Sequence, residues 1–171
     1  MGPIKVLIAD DDESIVWVLE KLLMEKGLET VSAKDGTEAA EPLRGRIQQA
    51  LLDINMPGKD GLRLLTEAKE AGREASFIMM TAESTMKNTL EAMRLGAFDY
   101  ITKPFDLGEL EVTIDKAIEN IRLKGKVTAL TERLKERLSG ETAFIGKSNA
   151  VEEVFKKAGK VAAKDVTVLI L

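Results

Sequence analysis

Five short runs of aliphatic and β-branched residues, at 4–9, 28–33, 50–53, 77–80 and 98–102, constrain this chain more than any other feature. Four of the five lead into a stretch whose apolar residues fall at helical spacing, for example Ile15, Val18, Leu19, Leu22 and Leu23 after the first. Strands that alternate with helices need crossover connections, so the pattern predicts a parallel sheet of the doubly wound α/β class. In such a sheet all C-terminal strand ends meet at one rim, and ligands bind in the crevice beyond it.

Four strand ends carry residues suited to chemistry. The first run ends in Asp10, Asp11 and Asp12, the third in Asp53, the fourth in Thr81 and the fifth in Lys103. After Asp53 the residues Pro57, Gly58 and Gly61 force a turn. Each residue alone has a structural explanation, as a helix cap, a turn or a strand end; together on one rim they form a site. Ser14 is expected to cap the first helix, and Gly27 to stop it. A second helix over 36–48 should be kinked or shortened by Pro42 and Gly45. Further helices are expected over 62–71 and 84–95.

The residue types limit what that rim can do. The chain has no His and no Cys, which excludes imidazole and thiolate metal ligands, disulfides, and His-dependent nucleophilic triads. Clustered carboxylates repel unless a cation is present. An all-oxygen donor set suits Mg²⁺, which commonly binds one or two carboxylates together with phosphate oxygens. Lys103 and Thr81 can serve other phosphoryl oxygens, so the set is equipped for phosphoryl transfer to an Asp carboxylate. A net charge of −4 gives no basic footprint for nucleic acid. No apolar run reaches the roughly 18 residues of a membrane-spanning helix, and the cytoplasm is the expected compartment.

Beyond residue 107 the pattern changes. Leu110, Ile114, Ala117, Ile118 and Ile121 form one helical stripe, and Leu123, Val127, Leu130, Leu134 and Leu138 form a second, with a break or phase change expected at Gly125. The second stripe suits a short coiled coil, hence a homodimer. Residues 139–141 read as a hinge, 149–163 as an amphipathic helix and 166–171 as a strand. One helix and one strand cannot bury a core, so residues 140–171 read as the start of a larger domain.

These residues carry a family resemblance. Asp10-Asp11 after the first strand, the Asp-Ile-Asn-Met-Pro-Gly run from Asp53, Thr81-Ala82, and the stretch from Tyr100 through Lys103 and Pro104 to Phe105 resemble the receiver domain of two-component response regulators over residues 4–122. The resemblance implies a flavodoxin-like fold, with Asp53 as phosphoacceptor for a sensor histidine kinase. It implies Mg²⁺ held by Asp11, Asp53 and the Asn55 carbonyl, with Asp10 acting through water. Thr81 and Tyr100 would be a switch pair, and Lys103 would hold the phosphoryl group. Asp12 is an acid beyond the commonest pattern.

The tail is similar to the nitrogen-regulatory (NtrC) type: Gly96-Ala-Phe-Asp-Tyr100, Phe144-Ile-Gly-Lys-Ser-Asn149 and the run from Asp165. That likeness implies a receiver over 1–122, a helical linker over 123–139 and an N-terminal fragment of an AAA+ ATPase domain over 140–171. It also implies action on sigma-54 RNA polymerase and DNA through domains beyond this chain. The Gly146-Lys147-Ser148 triplet lacks phosphate-loop spacing, since Glu141 stands where the first Gly belongs, so no ATP binding or hydrolysis is expected. Asp10-x-Asp12 also looks like the first motif of haloacid-dehalogenase-type phosphatases, with Asp10 as nucleophile, but that reading leaves the run from Asp53 to Gly61 unexplained. A receiver-like scaffold that is not phosphorylated is a third alternative, and the complete acceptor set argues against it.

Overall fold

The computed structural model describes residues 3–82 and 86–141. The expected helix over 149–163, the strand over 166–171 and the Gly-Lys-Ser triplet lie outside the described residues. Two compact units divide the chain, Met1–Gly125 and Lys126–Leu171.

Strands β1 (Lys5–Ala9), β2 (Glu29–Ala33), β3 (Gln49–Asp53), β4 (Ser76–Thr81) and β5 (Asp99–Thr102), all in the first unit, alternate with helices α1 (Glu13–Glu25), α2 (Gly36–Arg44), α3 (Gly61–Glu70), α4 (Met86–Arg94) and α5 (Leu107–Glu141), the last running on into the second unit. All strand pairs are parallel, in the order β2-β1-β3-β4-β5. The expected doubly wound sheet is present.

Because side chains alternate along a strand, each central strand feeds two cores. Leu7, Leu52, Phe77 and Met79 pack with Ala39, Leu43, Leu64, Leu65 and Ala92, the layer of α2, α3 and α4. Val6, Ile8, Leu51, Ile78 and Met80 pack with Leu19, Leu23, Leu110 and Ile114, the layer of α1 and α5. All five residues of β3 are buried, as a strand covered on both faces requires.

Local chemistry accounts for the helix ends. Asp12, not Ser14, caps α1, its carboxylate accepting from the Ser14 amide at 2.9 Å. The third acid of the opening cluster therefore starts a helix. Gly27, at φ +70°, ends α1 while the Leu28 amide donates back to the Leu23 carbonyl at 3.1 Å. Helix α2 stops at Arg44, before Gly45, and is the shortened helix expected.

Helix α5 departs from expectation. It continues through Gly125 without a break, and residues 139–141, read as a hinge, are helical. A helical Gly costs only about 1 kcal/mol, which a long cooperative helix absorbs. Along the sequence the apolar residues change phase between Ile121 and Leu123, ahead of Gly125. Leu110, Ile114, Ala117 and Ile118 are buried, whereas Leu123, Val127, Leu130 and Leu134 are exposed.

The two stripes should respond differently to truncation. Leu110→Ala, in the buried first stripe, should lower unfolding free energy in urea by about 3 kcal/mol. Leu130→Ala should change the receiver's own unfolding free energy by less than about 0.5 kcal/mol.

Candidate functional site

Backbone pairing sets the rim before any side chain acts. The Asp10 amide donates to the Ala33 carbonyl at 3.1 Å, extending the β1–β2 ladder by one residue, and the Ile54 amide donates to the Met80 carbonyl at 2.8 Å, extending β3–β4. The Lys103 amide donates to the Thr81 carbonyl at 2.7 Å, which ties the end of β5 to the end of β4. Asp10, Asp53 and Lys103 are thus held at fixed heights along one edge. The Lys103–Pro104 peptide is cis.

Their side chains converge. Lys103 Nζ lies 2.8 Å from Asp53 Oδ2 as a hydrogen-bonded ion pair, and 2.7 Å from Asp10 Oδ2, close but poorly aligned for a hydrogen bond. Asp10 and Asp53 are 1% and 5% exposed, so the lysine compensates two largely desolvated charges. Their other oxygens accept from the backbone: Asp10 Oδ1 from the Asp12 amide at 3.0 Å, Asp53 Oδ1 from the Asn55 amide at 3.3 Å. Burial pushes the Asp10 carboxyl above its ordinary range despite Lys103 beside it. Burial alone would lower Lys103; contacts with Asp10 and Asp53 outweigh it, and the ammonium titrates above its usual value. The hydrogen bonds from Ser14 hold exposed Asp12 below the usual carboxylate range.

Asp11 is exposed and completes the acidic group. Carboxylate oxygens of Asp10, Asp11 and Asp53 lie within 4.8 Å of one another. Three oxygen donors this close, one facing solvent, fit a hard divalent cation that retains part of its water shell.

Thr81 and Tyr100 occupy one layer. Met79 registers with Tyr100 and Thr81 with Thr102, so Thr81 and Tyr100 point to the same face of the sheet, one step apart on neighbouring strands. Thr81 is fully buried, and Tyr100 packs partly buried against the α2/α3/α4 core. The rim therefore brings together Asp10, Asp11, Asp53 and Lys103, with Thr81 at the adjoining strand end and Asn55 in the loop beyond Asp53.

Comparison with known proteins decides what family the rim belongs to. Residues 6–115 match the family described as the response regulator receiver domain. The chain belongs to that family. Among curated relatives, the receiver and its tail are 36% identical over 167 residues to the DNA-binding transcriptional regulator NtrC of Escherichia coli, covering 96% of this chain and 34% of that protein. They are 32% identical over 170 residues to the transcriptional regulatory protein ZraR of Salmonella typhimurium, covering 99% of this chain and 37% of that protein. The chain thus spans about a third of the length of the curated relatives it matches.

Solved structures agree on the fold. A receiver domain of a Francisella response regulator superposes with TM-score 0.65 at 31% identity, covering 70% of this chain and 98% of that one. A CheY-like receiver from Methanospirillum hungatei gives TM-score 0.68 at 26% identity, covering 72% and 99%. Receiver domains are signalling modules of two-component systems and bind Mg²⁺ in an acidic pocket such as the Asp10, Asp11 and Asp53 group. Family membership removes the dehalogenase-type alternative.

Sequence reasoning did not find the contact of Lys103 with Asp10 as well as Asp53; strand order decides it, and no local signal carries strand order. Replacing Lys103 with Met leaves two buried carboxylates uncompensated. Without metal, Lys103→Met should lose about 3 kcal/mol of stability at neutral pH. Because protonating the carboxylates removes their repulsion, and Asp10 already titrates high, the deficit should shrink as pH falls toward 4. Urea denaturation of both proteins at the two pH values measures it.

Proposed function

We propose that Asp53 accepts a phosphoryl group from a phosphohistidine of a sensor histidine kinase, and that this switches an attached transcription activator. The observation that supports it best is the triangle of Asp53, Asp10 and Lys103, with Lys103 Nζ 2.8 Å from the Asp53 carboxylate. A carboxylate nucleophile needs positive charge where the transferred oxygens will sit, and Lys103, whose ammonium the two carboxylates favour further, carries it at neutral pH.

Each group has a role in the transfer. An Asp53 carboxylate oxygen attacks phosphorus, forming the O–P bond of an acyl phosphate, while the P–N bond of the donor breaks and its electron pair stays on the imidazole nitrogen. Lys103 moves from neutralising the carboxylate to holding a phosphoryl oxygen, and the Thr81 hydroxyl donates to another. Asp11, Asp53 and the Asn55 carbonyl would hold Mg²⁺, with Asp10 acting through water. Mg²⁺ bound there supplies charge neutralisation on the phosphoryl oxygens during transfer. Thr81 and Tyr100, on one face of the sheet, would shift together between two packings and carry the change to the α4/β5 surface.

The division at residues 122 and 139, the ATPase start over 140–171, control of sigma-54 RNA polymerase and DNA through further domains, and a cytoplasmic location belong to the same proposal. They rest on likeness to NtrC-type regulators. Among the described residues no helix is long and apolar enough to cross a membrane. We also propose homodimer formation through α5, where Val127, Leu130 and Leu134 are each about 60% exposed at coiled-coil spacing.

Incubation with a small phosphodonor and Mg²⁺ should place phosphate on Asp53 by mass spectrometry, and Asp53→Asn should abolish labelling. Label retained on another residue in Asp53→Asn would reject the acceptor assignment. For the dimer, Leu130→Glu with Leu134→Glu should sediment as a monomer with the receiver folded, whereas a monomeric wild type would end that part of the reading.

A further inference from the structure

The loop over 54–60 carries the Asn55 carbonyl, and its position is set from outside the rim. Asp35 caps α2 by accepting from the Thr37 and Glu38 amides at 2.7 and 2.8 Å. The cap leaves the first helical amide, that of Gly36, unused, and this amide donates to the Pro57 carbonyl at 3.2 Å. The approach is close enough to exclude any side chain at Gly36. A Cβ there would lie 1.8 Å from the Lys59 carbonyl oxygen, 2.6 Å from its carbonyl carbon and 2.9 Å from its Cα. All three are backbone atoms, so no rotamer change relieves the overlap. The same interface is tight from the other side, where a Cβ on Gly58, itself at φ +80°, would lie 2.7 Å from Thr37 Oγ1, so Ala there adds a backbone strain that removing the hydroxyl does not relieve.

The loop has no slack at its far end. Lys59 Nζ is 2.6 Å from Glu67 of α3, Asp60 caps α3 through the Arg63 amide at 2.7 Å, and the Gly61 amide donates to the Ile54 carbonyl at 3.0 Å. Gly61 is itself packed so closely that a Cβ would lie 2.2 Å from the Asp53 carbonyl oxygen. A displacement imposed at Lys59 is therefore blocked on the α3 side, and it passes back through Pro57 toward Asn55.

We infer that Gly36 is a positioning residue for divalent-cation binding: its missing side chain lets the N-terminus of α2 hold Pro57 and Lys59, which fixes the Asn55 carbonyl beside Asp53. This rests on the proposal that Asp11, Asp53 and the Asn55 carbonyl hold Mg²⁺. A shift on the order of 1 Å, which the overlap demands, is enough to spoil a site whose geometry must be near octahedral.

Calorimetric titration of the full chain with Mg²⁺, alongside thermal unfolding, provides the test. Gly36→Ala should bind Mg²⁺ about tenfold more weakly than wild type or worse, in the range of other lost supports of metal ligands. Gly72→Ala is the control, because Gly72 sits at φ +69° with nothing within 4 Å of an added Cβ. It should lose stability through backbone strain yet keep wild-type Mg²⁺ affinity. A parallel double-mutant cycle pairs Gly58→Ala with Thr37→Ala. Gly58→Ala should weaken Mg²⁺ binding, and Thr37→Ala in that background should restore part of it by removing the clashing hydroxyl. Folded Gly36→Ala with wild-type affinity overturns the inference, as does an equal loss in Gly72→Ala. If Gly36→Ala does not fold, the cycle decides, and absence of coupling overturns the inference. A wild-type chain that binds no Mg²⁺ overturns the metal-site proposal itself.

Discussion

Two carboxylates buried at the ends of adjacent strands are unstable neighbours, and the compensation of Asp10 and Asp53 by Lys103 is the interaction on which the rim depends. Coulomb repulsion and desolvation both disfavour the charged pair. The Lys103 ammonium offsets this only because β5 ends at a height fixed by the Lys103 to Thr81 backbone bond, from which its long side chain reaches across β4 to β3 and β1. The pairing is also incomplete. Among the described residues one cation faces three acids when Asp11 is counted, so the rim carries excess negative charge that a divalent cation can balance.

What surrounds that pair is mostly backbone. Single hydrogen bonds beyond the regular ladder, from Asp10 to Ala33, Ile54 to Met80 and Lys103 to Thr81, continue the parallel register one residue further on three strands. Side-chain placement is therefore inherited from the sheet, which is buried on both faces and cannot slip without moving every core residue to the wrong layer. The loop after Asp53 lacks such a ladder. It is held instead by close packing against α2 and α3, at positions where only glycine fits.

Helix α5 joins two different demands in one element. Its first turns bury Leu110, Ile114, Ala117 and Ile118 against the sheet, and its later turns leave Val127, Leu130 and Leu134 exposed. A helix can change its apolar face by a shift of phase in sequence without any change in backbone; the shift falls between Ile121 and Leu123, and Gly125 beyond it does not break the helix.

The sequence by itself determined the five strands, the alternation that makes them parallel, and which residues stand at their C-terminal ends. These follow from short-range patterns: β-branched runs, helical periodicity, and Pro or Gly at turns. Asp10, Asp11, Asp53, Thr81 and Lys103 were legible for that reason. Tertiary structure decided what local pattern cannot encode. That Asp12 rather than Ser14 caps α1 depends on a geometry one residue wide, and two polar residues so close in sequence look equivalent. That Lys103 serves Asp10 as well as Asp53 depends on strand order, since β1 and β3 become neighbours only when β2 is placed at the edge. That Gly36 must be glycine depends on a backbone from another part of the chain arriving within a Cβ's radius. Contacts of this kind are set by how crossovers stack elements distant in sequence, and no periodicity within either element records them.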